Sequence, residues 1–241
     1  MNEGYVVFVN DDPKYLKLCD ILVESVLQFS KKSIEVFAIN FDYIHSNKRV
    51  ISNRISLDTV NFETICYSKI FSTINSSFDY GIQLDADFII TKNMDKLFDT
   101  IKNTKEYPIC SLHTLDPNNQ SNIMDLLDVK TKSQPYVHAT YLFSKESKDF
   151  FRECYEFSQY CLKNRIIPGN YDETIINTHL WKHNRTDSWI YPYDIWYETF
   201  LEPKNRLGYP IDYDLQFFSC HGCKDPVLAE KILNDLINKE Q

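Results

Sequence analysis

The sequence predicts an α/β fold in which a mostly parallel sheet is flanked by helices. Apolar runs rich in β-branched and aromatic residues alternate along the chain with segments of helical periodicity. The order of these segments, β-α-β-β-α-β, is typical of a sheet built from crossover units. Of the 241 residues, 43% are apolar and 15% aromatic, enough to bury a sizeable core, and only five glycines and nine prolines argue against a disordered or fibrous chain.

The first half of the chain supplies that alternation. Residues 5–9 form a β-rich run that ends at Asn10-Asp11-Asp12, and Pro13 after this possible cap is typical of a helix start. The pattern then predicts strands over 34–41 and 50–57, a helix over 61–74, an apolar strand from Ile82 running on to Ile90, and a helix over 94–101.

The second half continues the pattern less regularly. It predicts strands over 109–113 and 136–143, a polar loop over 115–134, and helices over 145–162, over 172–181 and at the C-terminus. No internal repeat or linker forces a boundary, so we expect a single domain over residues 1–241.

Charge and composition narrow the function classes. The formal net charge of −8 argues against a broad nucleic-acid or anionic-membrane surface, and no run of 18 apolar residues predicts a transmembrane helix. The N-terminus lacks a basic start and a small-residue cleavage site. Seven scattered cysteines indicate reduced thiols, so we expect a cytoplasmic protein of a bacterial or virus-infected host cell.

Two carboxylates, Asp85 and Asp87, follow a predicted buried strand. Because side chains two residues apart in a strand point the same way, we expect both to face the same side where the strand leaves the sheet. Close carboxylates repel, and a Mg²⁺ or Mn²⁺ ion with open positions for phosphate oxygens relieves the repulsion. Asn10 to Asp12 also follow a strand, so one site could use both groups. The alternative is that the two aspartates only form a turn.

Several motifs together resemble one known family. Tyr67-x-Lys69 upstream of Leu84-Asp85-Ala86-Asp87-Phe88 resembles the donor-site core of family 8-type glycosyltransferases, which are nucleotide-sugar transferases of the GT-A fold. The resemblance runs in order over residues 5–226 and includes Asn10-Asp11-Asp12 with Tyr15, the pair Asp172-Glu173 with Asn177, and His221-Gly222 with Lys224 and Pro226. The chain departs from the family in its short spacing from His221 to Lys224. The strand that usually carries Asn-x-Gly in the family reads Val-His-Ala-Thr-Tyr here, over residues 137–141.

The resemblance implies a Rossmann-like GT-A domain with a nucleotide-binding part over about 1–115 and an acceptor-side part over about 135–241. It implies a UDP-sugar donor, Mn²⁺ or Mg²⁺, a glycan, protein or lipid-linked acceptor, and retention of anomeric configuration. The metal ligands would be Asp85, Asp87 and His221. The nucleotide and its phosphates would be bound by Asn10, Asp11, Tyr15, Lys69, Asp85, Ala86, Gly222 and Lys224. The donor sugar would meet Asp172 and Glu173, with Glu173 on the face opposite the leaving group.

Structural readings remain open for the same residues. Asp11 and Asp12 are ordinary helix-start residues, and Asp172 and Glu173 suit the first turn of a helix. Lys69 could be a solvated helix lysine. The histidines other than His221, including 138 and 179, lack ligand spacing and suit structural roles.

Three other functions remain open. Asp85-Ala86-Asp87 after an apolar strand is also the pattern of haloacid-dehalogenase-type phosphatases, although Ile89 stands where they have Thr or Val. A transferase-like module could bind a nucleotide or a partner without turnover. Cys220 and Cys223 could be half of a zinc site, although the chain has no second such pair. A sugar-phosphate nucleotidyltransferase is disfavoured because no glycine-rich loop follows the first strand.

Overall fold

The computed structural model describes residues 2–90, 95, 97–102, 106–112, 121–190, 197–198, 217–219 and 224–240. In these ranges, the strands are β1 (Glu3–Val9), β2 (Ser33–Ile39), β3 (Val50–Ile55), β4 (Tyr80–Leu84), β5 (Phe88–Ile90), β6 (Ile109–Leu112), β7 (Val137–Ser144), β8 (Trp189–Ile190), β9 (Tyr197–Glu198) and β10 (Phe217–Ser219). The helices are α1 (Pro13–Phe29), α2 (Phe62–Asn75), α3 (Leu97–Ile101), α4 (Ser121–Leu126), α5 (Lys148–Asn164), α6 (Tyr171–Lys182) and α7 (Pro226–Glu240).

The chain divides into two compact units. Unit 1 consists of Met1–Asn2, Leu57–Gln83 and Thr100–Tyr191. Unit 2 consists of Glu3–Ser56, Leu84–Asp99 and Pro192–Gln241. The single-domain organisation predicted from the sequence stays a prediction, as does its division near residues 115 and 135.

Unit 2 is built on a parallel β3-β2-β1 arrangement and a small second sheet of order β5-β10-β9. Helix α1 packs on β1, β2 and β5 through an apolar face that includes Leu18, Leu22 and Val26. Helix α1 begins at Pro13, as predicted. Its start is stabilised because the Asp12 carboxylate accepts a hydrogen bond from the Lys14 N–H at 2.8 Å and because proline suits the first turn of a helix.

Unit 1 contains strands in the order β4-β7-β6-β8, where only the last residue of β4 belongs to unit 2. Strand β7 is antiparallel to both β4 and β6, whereas β6 and β8 are parallel. Helix α2 packs on α5 and α6, and α6 also packs on β7. Gly81 of β4 is required by this packing, because a Cβ there would lie 2.1 Å from the Phe143 ring.

Each unit combines β-strands with helices that pack on them, so the predicted α/β fold class is confirmed. The strand pairing is mixed, with β7 as an antiparallel exception to the mostly parallel pattern. The element order β1-α1-β2-β3-α2-β4 matches the prediction, but the predicted loop over 115–134 contains a helix, α4, whose Ile123 is buried. In the described part of the chain, no helix combines the length and the hydropathy needed to span a membrane.

Candidate functional site

The two aspartates lie in a tight turn directly after β4. The strand ends at Leu84, and the Asp85 carbonyl accepts a hydrogen bond from the Phe88 N–H at 3.1 Å. We call residues 85–88 the acidic turn. Because Asp85 and Asp87 follow the strand instead of extending it, strand alternation does not govern their directions. Asp87 is only 4% exposed, so its carboxylate is held in a poorly solvated place.

A lysine and a tyrosine lie beside the acidic turn within unit 2. Lys224 Nζ donates to the Tyr15 hydroxyl at 3.0 Å and lies 5.4 Å from the centre of that ring. Burial alone lowers the pKa of Lys224, but the hydrogen bond to Tyr15 and the charges of Asp87 and Asp85 outweigh it, and the pKa is raised above its ordinary value. The structure thus brings together four of the predicted site residues: Tyr15, Asp85, Asp87 and Lys224.

The acidic turn is fixed from two sides. After it, the Ile90 N–H of β5 donates to the buried Ser25 hydroxyl at 3.0 Å, and that hydroxyl donates to the Leu22 carbonyl. Strand β5 also pairs antiparallel with β10, where Phe88 is the partner of Ser219. Ser25 therefore joins α1 to the strand that follows the two aspartates.

The other residues predicted for this site differ in their exposure and contacts. Asp11 is exposed after β1 and Asn10 is partly exposed, while Asp12 caps α1, as the structural reading of that residue expected. Ala86 is buried in the acidic turn. His221 and Gly222, together with Cys220 and Cys223 of the zinc alternative, lie outside the described residues.

Asp85 and Asp87 are the side chains of the acidic turn that could hold a divalent cation. Within the described ranges, no group of three or more His, Cys, Asp or Glu residues could hold a metal ion. Mg²⁺ and ions like it are commonly held by one or two carboxylates and completed by water and substrate phosphates. Asp85 and Asp87 supply those two carboxylates, and Lys224 adds a positive charge beside them.

A second group of charged side chains is buried inside unit 1. We call Lys69, His138, Asp172 and Glu173 the buried polar cluster. Lys69 of α2 is 6% exposed, and its Nζ lies 3.7 Å from Asp172 Oδ2 in α6. Burial first, and the charge of Glu173 second, raise the pKa of the neighbouring Cys110, so this thiol stays protonated at neutral pH.

Glu173 is contacted by an imidazole and an amide. Its Oε2 lies 3.9 Å from His138 Nε2, and its Oε1 accepts a hydrogen bond from Asn170 Nδ2 at 3.1 Å. His138 and Glu173 are each 8% exposed. The Tyr136 hydroxyl also hydrogen-bonds to Glu173. The arrangement presents a buried carboxylate that faces an imidazole, an amide and a phenol.

Helix α6 is anchored so that its first turn points into this cluster. Asn177 accepts from the Val137 N–H at 2.8 Å, and it donates to the carbonyls of Val137 and Glu173. Tyr171 begins the helix with φ of +43°, a conformation that costs a residue with a side chain roughly 1–3 kcal/mol. Asp172 and Glu173 lie in the first turn of α6, where the helix dipole favours negative charge, as the structural interpretation expected. Both carboxylates are also buried beside Lys69 and His138, so they are not solvated surface residues.

His138 is not among the site residues predicted from the sequence, which indicates a structural role for it. The structure places this histidine beside Glu173. Lys69 and Asp172 were both predicted, but for different parts of a donor, and the fold pairs them with each other.

Another buried histidine of unit 1, His179, is a useful contrast. Its Nδ1 lies 2.8 Å from the Ile175 carbonyl, within the helix itself. Burial lowers the pKa of His179 to about 4, although the hydrogen bond to Ile175 and the charge of Glu153 oppose the change. Glu153 in turn accepts from Lys182 and His183. These contacts suit a structural histidine, as the sequence predicted.

Comparison with known proteins gives one family match. Residues 6–111 match the model of a family described as "Mannosyltransferase putative". The matched stretch is less than half of the chain, and includes Lys69 and the acidic turn, but not His138, α6 or Lys224. The match supports a glycosyltransferase, although its description is of mannosyl transfer and not of the family 8 type that the motifs resemble. No curated protein matches the chain.

Proposed function

We propose that this protein is a metal-dependent glycosyltransferase that moves a sugar from a nucleotide-sugar donor to a hydroxyl group of a glycan, protein or lipid-linked acceptor. The observation that carries the proposal is the acidic turn, with Asp85 and Asp87 beside the Lys224 ammonium. A turn of two carboxylates and one lysine offers both a divalent-cation site and a fixed positive charge for a diphosphate.

The acidic turn and Lys224 would bind the diphosphate leaving group. Asp85 and Asp87, with His221 as the proposed third ligand, would hold Mn²⁺ or Mg²⁺, which when bound supplies Lewis-acid stabilisation of a departing phosphate oxygen. Lys224 would neutralise phosphate charge, while Tyr15 keeps its ammonium in place through the 3.0 Å hydrogen bond. We keep four residues as further nucleotide contacts: Asn10, Asp11, Ala86 and Gly222.

The resemblance assigns the donor sugar to Asp172 and Glu173. Asp172, with its charge balanced by Lys69, is suited to accept hydrogen bonds from sugar hydroxyls. Glu173 is suited to stabilise the positive charge that develops at the anomeric carbon during glycosyl transfer. The resemblance also assigns Lys69 to the donor phosphates, and retention of configuration remains part of the proposal.

The donor is proposed as a UDP-sugar, on the resemblance to family 8-type enzymes. The description of the matched family names mannosyl transfer, so nucleotide-linked mannose belongs in the first donor panel. The five cysteines within the described residues are free thiols. A cytoplasmic setting remains part of the proposal.

Donor hydrolysis tests the proposal without a known acceptor. The protein would be incubated with UDP- and GDP-linked mannose, glucose and galactose, with Mn²⁺ or with EDTA, and release of free nucleoside diphosphate measured. We expect slow release from one nucleotide class, dependent on Mn²⁺ and absent from Asp87→Asn. Hydrolysis of p-nitrophenyl phosphate instead would indicate the phosphatase, and no turnover of any compound would indicate a binding module.

A further inference from the structure

We propose that His138 is a positioning residue that, as a neutral imidazole protonated on Nε2, holds the Glu173 carboxylate in place for the reaction. The inference rests on the proposed function for its catalytic consequence, but the state of the imidazole can be tested without any activity. The resemblance assigns no role to His138.

The hydrogen bonds at Nδ1 determine which nitrogen carries the proton. The Thr140 N–H and the Thr140 hydroxyl oxygen each lie 3.2 Å from His138 Nδ1. A backbone N–H can only donate, and the hydroxyl can donate as well. Nδ1 must therefore be the acceptor, with its lone pair directed at Thr140. In the neutral ring the proton is then on Nε2, the nitrogen that lies 3.9 Å from Glu173 Oε2.

The separation of 3.9 Å is longer than a hydrogen bond, as is common where a catalytic contact tightens only when substrate binds. Closing it requires a movement of about 1 Å to reach the usual range for N–H···O contacts. The other carboxylate oxygen is already fixed by Asn170 at 3.1 Å. A donor on each oxygen would set the plane of the carboxylate and prevent its rotation.

The neutral form of the ring matters for the charge of the pair. A neutral imidazole orients Glu173 and leaves its negative charge in place, whereas an imidazolium would cancel most of that charge. The proposed reaction develops positive charge at the anomeric carbon, which a carboxylate stabilises only while it remains ionised. Thr140 would therefore keep the pair negative by occupying Nδ1.

His179 provides an internal reference for the measurement. It is buried in the same unit at 1% exposure, but its Nδ1 faces the Ile175 carbonyl, which can only accept. Its proton must then be on Nδ1. The two buried histidines are thus expected to be neutral rings of opposite tautomer.

The first experiment reads these tautomers by nitrogen-detected NMR of the imidazole rings at pH 7.5. His138→Gln and His179→Gln assign the two signals. We expect an Nε2–H ring for His138 and an Nδ1–H ring for His179. Glu173→Gln should move the Nε2–H signal of His138 and leave the His179 signal in place. An Nδ1–H or doubly protonated His138, or a His138 signal indifferent to Glu173→Gln, overturns the proposal.

The second experiment measures the catalytic consequence by donor hydrolysis. His138→Ala removes the Nε2–H donor, and we expect kcat to fall about 10- to 100-fold with little change in donor KM, since misplacement of a reacting group by about 1 Å has that order of effect. His138→Gln can present an amide N–H near the same place and should restore most of kcat. His179→Gln, the matched control, should leave kcat unchanged.

The two experiments separate this inference from the proposed function. The expected tautomers without any donor hydrolysis would retain the His138–Glu173 pair and reject the transferase. Donor hydrolysis with kcat equal in His138→Ala and the parent would retain the transferase and reject the positioning role.

Discussion

The acidic turn and the buried polar cluster are both made of carboxylates beside a lysine, but they are built differently. The turn takes its carboxylates from residues 85–88, with Lys224 half-buried next to them. The cluster takes its members from α2, β7 and α6, and all four side chains are nearly excluded from water. Asp85 and Lys224 of the turn region are partly exposed, whereas Asp87 is as buried as the members of the cluster. Substitution of Asp85 or Lys224 should therefore affect mainly binding, and substitution of Asp87 or of a cluster residue should affect stability as well.

The largest effect is expected in the acidic turn. Asp87→Asn removes one of two proposed carboxylate ligands while keeping the size of the side chain. We expect nucleotide-dependent metal binding to be lost and donor hydrolysis to fall about a thousandfold, the upper range for removing one strong electrostatic group. Binding would be measured by calorimetry with UDP and Mn²⁺, and folding by circular dichroism. Asp149→Asn, an exposed carboxylate on α5, is the control, and equal binding by both variants would exclude the site.

Removing the lysine of the cluster should cost stability. Lys69→Met takes away the cation that lies 3.7 Å from the buried Asp172, and breaking a buried pair from one side costs about 3–5 kcal/mol. The free energy of unfolding would be measured with urea. Lys17→Met is the matched control, because Lys17 pairs with Glu230 on the surface, where the loss is about 1 kcal/mol or less. Asp172→Asn added to Lys69→Met should recover part of the loss. Similar losses for Lys69→Met and Lys17→Met would contradict the contrast between the two regions.

Acid should act on unit 1 through His179. Its folded-state pKa of about 4 lies below the usual value of 6.5, so the unfolded chain binds a proton that the folded protein refuses between these values. Stability should fall as pH drops from about 6.5 to about 4, by on the order of 3 kcal/mol. The charged neighbours of this histidine are Glu153, Lys182 and His183. They are present in both the parent and the variant, so a difference between the two profiles reports on His179. His179→Gln should flatten this part of the stability profile, and an unchanged slope would remove His179 as its cause.

The smallest effect is expected at Lys224. Lys224→Met removes one positive charge beside the acidic turn, and we expect about a tenfold loss in nucleotide affinity, which equals roughly 1.4 kcal/mol. Stability should change by less than about 1 kcal/mol because the ammonium is partly exposed. Lys14→Met is the control, since Lys14 also lies over the Tyr15 ring, at 5.3 Å from its centre. Equal losses of nucleotide affinity in Lys14→Met and Lys224→Met would show that the effect comes from the contact with the Tyr15 ring and not from the charge beside Asp85 and Asp87, which would contradict the prediction.

The sequence predicted the fold class and the order of the main elements because hydrophobic periodicity, Pro13 and the cap at Asp12 are local signals. It also indicated Asp85 and Asp87 as a candidate metal site, because the motif consists of three adjacent residues and is therefore a local signal. It could not predict that the turn, and not the strand, would hold them, because the Asp85–Phe88 hydrogen bond depends on where β4 ends.

The buried polar cluster could not be predicted from the sequence because it is formed by tertiary packing. Lys69, His138 and Glu173 are brought together by the packing of α6 on α2 and β7, and no local pattern encodes that packing. A histidine without ligand spacing was sensibly assigned to structure, and only its distance to Glu173 in the fold suggests otherwise. The helix α4 was missed because the polar residues around it resemble a loop and its buried contact comes from one residue, Ile123.

The most direct test of the account is the melting temperature with UDP, GDP, ADP and CMP, each with Mn²⁺ or with EDTA. A ligand at about 100 times its dissociation constant adds roughly 2.7 kcal/mol of stability, which a melting curve resolves. The account predicts a Mn²⁺-dependent rise with UDP that EDTA removes and that Asp87→Asn does not show. No rise with any nucleotide, or a rise that persists in EDTA and in Asp87→Asn, would contradict the proposal that the acidic turn binds a metal-bridged diphosphate.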